Sequence, residues 1–129
     1  MYTMHGIVMK KNGDAVFYII MERFEGDLKS FIKNFSKYDK EVKKILKSFI
    51  IMKLKVLIEA LKHINNSCEI CIDDIKLENI LYKKCSDDTY DLVFSDFGTS
   101  SFGKDITKKC IERDLTRFRQ AVDEFSNEF

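Results

Sequence analysis

The chain has no proline and no tryptophan, and only five of its 129 residues are glycine. The missing proline excludes every motif that is built on that residue. No internal repeat, low-complexity tract or Gly/Ser linker divides the sequence, which leaves one continuous fold rather than a repeat array or tethered domains. No run is long and apolar enough to span a bilayer, and Met1-Tyr2-Thr3-Met4-His5 lacks the layout of a signal peptide. Charge of one sign is also missing. Lys and Arg number 22 against 21 Asp and Glu, so no global field directs the chain to nucleic acid or to a membrane surface. The default expectation is an intracellular, cytoplasmic protein with neither nucleic acid nor membrane as a partner.

What is present suits an ordinary globular domain, 45% apolar and 33% charged. Its length is enough for one real core. Four cysteines stand at positions 68, 71, 85 and 110. Cys68-Glu69-Ile70-Cys71 has a metal-like spacing, but no second C-x-x-C or paired His completes a zinc set. Two readings stay open, a metal site at Cys68 and Cys71 or buried and idle thiols.

Apolar runs at Gly6 to Lys10 and Ala15 to Met21 flank Lys11-Asn12-Gly13-Asp14, which predicts an antiparallel hairpin. A short helix follows, with Leu28, Phe31, Ile32 and Phe35 on one face and Asp27 near its start. The longest element is expected from about Glu41 to Asn65. Val42, Ile45, Leu46, Phe49, Ile50, Leu57, Ile58, Leu61 and Ile64 recur there at helical steps, predicting one core-facing face. Asn65-Asn66-Ser67 reads as its turn-forming end. Ile70 to Ile72, Ile80 to Tyr82 and Leu92 to Ser95 are short strands, and Ser100 to Asp105 is a loop. A last helix carries Ile111, Leu115, Phe118, Val122 and Phe125 on one side.

The chemistry is concentrated in Asp74-Ile75-Lys76-Leu77-Glu78-Asn79, followed by Asp96-Phe97-Gly98. Phosphoryl transfer needs a carboxylate near the acceptor hydroxyl, a cation near the moving phosphate and ligands for Mg²⁺. An Asp, a Lys two residues on, an Asn five residues on and a later D-F-G supply them in the order that protein kinases use. The chain therefore resembles the C-terminal lobe of a eukaryotic-type protein kinase, of the Ser/Thr class because of Asp74-Ile75-Lys76. The resemblance runs from about residue 6 to 125. It implies an α+β fold: a mainly helical kinase-like C-terminal lobe with an N-terminal β-hairpin and short catalytic-loop strands. Residues 1–129 would be one partial domain, with 6–21 an N-lobe hairpin remnant, 22–27 the hinge and 28–125 a C-lobe portion.

The resemblance also implies roles. Asp74 would accept or orient the substrate hydroxyl proton, and Lys76 would set a positive charge against the transferring phosphate. Asn79 and Asp96 would hold Mg²⁺, and ATP would be the nucleotide. Met21 would be the gatekeeper, backbone groups near Arg23 and Phe24 would meet an adenine edge, and Asp27 would reach a ribose hydroxyl. An N-cap role for Asp27 stays open beside that one. Asp114 has two readings as well: the Asp that steadies the catalytic loop from beneath, or an acid favoured early in a helix.

Three departures bear on activity. Nothing before the hairpin supplies a Gly-rich phosphate loop or the lysine strand, and the Asn-Gly turn leaves Lys10 a poor substitute. Ile72-Asp73 stands where the family has H-R, removing a cation and setting Asp73 beside Asp74. The A-P-E element and the later substrate-binding helices are missing. The expected function is MgATP-dependent phosphoryl transfer, weak or dependent on a partner, with a nucleotide and a protein substrate as ligands. The alternative is a catalytically inactive truncated kinase that binds and modulates a complete protein kinase.

Overall fold

The computed structural model describes the backbone of residues 2–9, 11–13, 15–21, 23–95, 101–103 and 107–129, and the side chains of 11–13, 23–95, 103 and 107–129. The fold is α+β. Strands β1 (Tyr2–Met9) and β2 (Ala15–Met21) pair antiparallel, with Met9 opposite Ala15 across the turn. Gly13, at φ +89°, supplies the left-handed backbone that this turn requires.

Strand β3 (Gly26–Asp27) leads directly into helix α1 (Leu28–Phe35), which Asp27 caps by accepting the Ser30 N–H at 2.8 Å. A Cβ at Gly26 would lie 2.6 Å from Ser30 Oγ and 3.2 Å from the Tyr82 ring, so this close approach admits only glycine without a shift. Helix α2 (Lys40–Asn66) is capped by Asp39, whose side chain accepts the Val42 N–H. It ends next to β4 (Ile70–Cys71). A single 3₁₀ turn (Leu77–Asn79) precedes β5 (Ile80–Lys84) and β6 (Tyr90–Phe94), which pair antiparallel with Ile80 opposite Phe94. The sheet order is β3-β5-β6.

The expected loop at 100–105 contains a short strand, β7 (Ser101–Phe102), which pairs antiparallel with β4. Two residues give too little pattern for a strand to be read from sequence. The last helix, α3 (Lys108–Glu128), begins at Thr107, whose Oγ1 accepts the Cys110 N–H at 3.1 Å.

The core lies where α1, α2 and α3 meet the β5–β6 face. Phe31 is fully buried at its centre, with ring centroids 4.5 Å from Phe35, 5.0 Å from Tyr82 and 6.0 Å from Phe125. Helix α2 corrects the expected single face. Ile50, Leu54, Leu57 and Leu61 are buried, while Val42, Ile45 and Phe49 are exposed at 37%, 57% and 36%. At 100° per residue those three lie well round the helix from Ile50, on the side away from the core. The buried face of α3 is likewise shifted: Cys110, Asp114, Phe118, Ala121 and Phe125 are inside, and Ile111, Leu115 and Val122 are half-buried.

Cysteine pairing also departs from both sequence readings. Cys71 and Cys110 form a disulfide that ties β4 to the first turn of α3, with Cα atoms 6.3 Å apart. Cys71 is therefore no metal ligand, and Cys68 is an exposed free thiol. Among the described residues no group of three or more His, Cys, Asp or Glu is set to hold a metal ion. No helix among them is long and apolar enough to cross a membrane.

Candidate functional site

The segment Ile72–Asn79 joins β4 to β5 and is clamped at both ends. At its start, Asp114 of α3 is fully buried, and its carboxylate receives three donors. Oδ2 accepts the Ile72 N–H at 2.8 Å and Asn65 Nδ2 at 3.0 Å, and Oδ1 accepts the Asp73 N–H at 3.0 Å. Both oxygens taking only N–H donors is the pattern of an ionised carboxylate. Burying that charge is costly, and three directed donors are what offset the cost. Of the two readings of Asp114, it is the loop anchor that these contacts describe.

Asn65 is part of the same device. The sequence reading made it a turn former at the helix end, but it lies inside α2 with only 3% of its surface exposed. Its amide also donates to Ile70 O at 2.9 Å. One signal was available in the sequence: Asn65 continues the buried series Ile50, Leu54, Leu57, Leu61 by a further four-residue step.

At the far end of the segment, Asn79 Nδ2 donates to Asp74 O at 2.9 Å and to Asp74 Oδ2 at 3.0 Å. The planar amide thereby directs its Oδ1 away from Asp74, where it is an acceptor for a cation or donor. Lys76 Nζ stands 3.7 Å from Asp74 Oδ1, with half of its side chain exposed. So loose and solvated a pair adds little stability, which leaves the ammonium accessible to an anionic ligand. Asp74, Lys76 and Asn79 are thus brought together on one short loop.

The adjacent pair Asp73-Asp74 poses less of a like-charge problem than the sequence suggests. Asp73 has φ +67°, and its carboxylate meets Arg113 Nη2 at 3.3 Å, while that of Asp74 faces Lys76 and Asn79. Arg117 Nη1 donates to the Asp73 carbonyl. Two arginines of α3 therefore stand beside Asp73. Sequence reasoning missed both, although they flank Asp114 one helical turn apart.

Met21 ends β2, and its side chain lies outside the described residues. Asp96, Phe97 and Gly98 lie outside them too. Ser95, which precedes Asp96 in the chain, donates its N–H to Asn79 O at 2.9 Å. Arg23 and Phe24 line an open depression of about 370 Å³ together with Glu25, Lys83 and Lys84. Next to it the Glu25 N–H donates to Tyr82 O at 2.9 Å, and Asp27 pairs with Leu81. Strand β3 also packs on the 3₁₀ turn that ends at Asn79, so Asp27 and Asn79 lie on neighbouring elements.

No protein-family model matches the chain, and no curated protein matches it either. The functional argument therefore rests on the loop's geometry and on the residues that it carries.

Proposed function

We propose that the chain is a C-lobe portion of a Ser/Thr-type protein kinase-like domain, arranged for MgATP-dependent phosphoryl transfer. One observation carries the reading. A buried carboxylate 42 and 41 residues downstream receives the N–H groups of Ile72 and Asp73, and Asn79 ties back to Asp74 from the other side. A surface turn has no need of such a clamp, whereas positioning a carboxylate for phosphoryl transfer does. The pairing of β4, which leads into this loop, with β7 supports the same reading.

On this reading Asp74 receives or orients the proton of the acceptor hydroxyl, and Lys76 offsets charge on the moving phosphate. Oδ1 of Asn79 and the Asp96 carboxylate would be the hard-oxygen donors offered to Mg²⁺. Mg²⁺ bound there with ATP would neutralise charge on the β- and γ-phosphates. Backbone groups at Arg23 and Phe24 would meet the adenine behind Met21. Asp27 would touch the ribose through the oxygen that does not cap α1. The 129 residues include no Gly-rich phosphate loop, so transfer is expected to be slow unless another segment or chain supplies one.

Calorimetric titration with ATP, with and without Mg²⁺, tests the site. Mg²⁺-dependent binding that Asp96→Asn abolishes and Asp74→Asn preserves is expected, together with phosphotransfer that Asp74→Asn abolishes. Absence of binding at millimolar nucleotide would refute the enzymatic reading. A second reading, docking onto a complete kinase, is favoured by the β1–β2 sheet, which has only these two strands among the described residues and so offers edges for strand addition. It predicts a stable complex that survives both substitutions.

A further inference from the structure

Six large apolar side chains are exposed among the described residues: Tyr38, Val42, Ile45, Phe49, Met52 and Val56. They are not scattered. Five follow one another along α2, and Tyr38 lies in the turn just ahead of it. Their spacing is 4-3-4-3-4, the a/d seam of a helix that packs on another helix. Apart from Tyr38, whose ring meets that of Phe35 edge-on at 5.2 Å, none of the six packs into the core of the described residues, which the opposite face of α2 fills.

The pattern is the same from either end. When a second α2 is laid antiparallel over the first about Lys47, Val42 falls opposite Met52 and Ile45 opposite Phe49. Tyr38 then falls opposite Val56. The flanking charges obey the same symmetry. Glu41 faces Lys55 of the second copy, a pair that occurs twice, as an isologous interface demands. A parallel pairing would set Glu41 beside Leu46 and Lys55 beside Ala60, pairing neither charge. Lys43 and Lys47 do not intrude, because Lys43 lies 5.4 Å above the Phe129 ring and Lys47 donates to Ser126 O, both towards the end of α3.

We propose that this face is a homodimer interface, in which two copies of the chain pair antiparallel through Tyr38–Val56. From Val42 to Val56 the seam is about 21 Å long, which places the contact at the small end of specific interfaces and predicts reversible association.

Sedimentation equilibrium from about 1 µM to about 500 µM tests this across the range of a weak complex. Cys68→Ser/Cys85→Ser protein removes both free thiols and leaves the Cys71–Cys110 bond in place. The average mass is expected to climb from 15.2 kDa towards twice that value. Ile45→Lys should weaken association at least about tenfold with unchanged circular dichroism, since a charge at an exposed seam position opposes pairing but not folding. Glu41→Lys or Lys55→Glu alone should weaken it about fivefold by setting like charges opposite each other. The double reversal should restore it, and an equimolar mixture of the two single variants should form heterodimers. Constant 15.2 kDa mass over the whole range would overturn the proposal. So would a dimer indifferent to Ile45→Lys, or one that the double reversal fails to rescue.

Discussion

Replacing Asp114 is the most exacting test of how the catalytic-loop candidate is held. Alanine strips the Ile72 and Asp73 N–H groups and the Asn65 amide of their common acceptor in a fully buried place. Each orphaned donor costs about 1–3 kcal/mol, a gross loss of about 3–9 kcal/mol. The carboxylate's own burial penalty, several kcal/mol, vanishes with it and offsets part of that loss. The balance is a destabilisation of about 3–4 kcal/mol, a large share of the ~5–15 kcal/mol that holds a domain together. Asp114→Asn keeps the shape but turns an NH₂ group towards one of the donors, for a loss of about 2 kcal/mol. With a urea slope of about 2 kcal/mol/M, the midpoint should fall by about 1.5 M in Asp114→Ala and by about 1 M in Asp114→Asn, at constant slope. Amide exchange localises the effect: in the asparagine variant Ile72 and Asp73 should lose protection while the centre of α2 keeps it. A midpoint shift in Asp114→Ala below about 0.3 M would refute the clamp, as would undiminished protection of those two amides.

Three further predictions follow from single contacts. Reducing the Cys71–Cys110 bond, which closes a loop of 39 residues, should lower unfolding stability by about 3–4 kcal/mol on the chain-entropy account. Urea titrations with and without dithiothreitol measure this, and coincident curves would count against the cross-link. Asp27→Ala removes the cap of α1 and should cost about 1 kcal/mol by chemical denaturation. If Asp27 also meets ribose, its ATP affinity falls in addition, whereas a pure cap leaves binding unchanged. Lys29 bridges α1 to α3 through hydrogen bonds to Glu124 and Glu128, which hold its ammonium above its ordinary pKa of 10.5. A raised folded-state value means that its contribution is complete below pH 10.5 and fades as pH rises beyond it. Lys29→Met should flatten that alkaline loss in a pH series of melting curves.

Local rules accounted for a good deal of the molecule. The Asn-Gly turn located the hairpin, the Asp27 cap and apolar spacing located α1, and Asp74-x-Lys76-x-x-Asn79 located three side chains that do meet. What escaped was whatever depends on a partner distant in sequence. Asp114 has the same local signature whether it caps charge at a helix start or anchors a loop, and only the fold brings Ile72 and Asp73 to it. Four cysteines allow several pairings, and nothing in their spacing singles out Cys71 and Cys110, which the fold brings together. Arg113 and Arg117 were indistinguishable from solvated surface charges until Asp73 was found beside them.

Helix α2 differs, because its signal was present and was misassigned. The nine apolar positions from Val42 to Ile64 extend over roughly 220° at 100° per residue, whereas a core-facing stripe needs little more than about 100°. An arc that wide cannot be covered from one direction. One part, centred on Ile50, Leu57 and Leu61, is covered by the chain's own α3 and β6. The other, with Val42, Ile45 and Phe49, is left to solvent. Keeping apolar side chains there at regular seam spacing has a cost in solubility that paired Glu41 and Lys55 would not have to accompany by chance. The width of the arc is therefore itself an argument for a second covering surface, and the two-fold symmetry of its charges identifies that surface as another copy of α2.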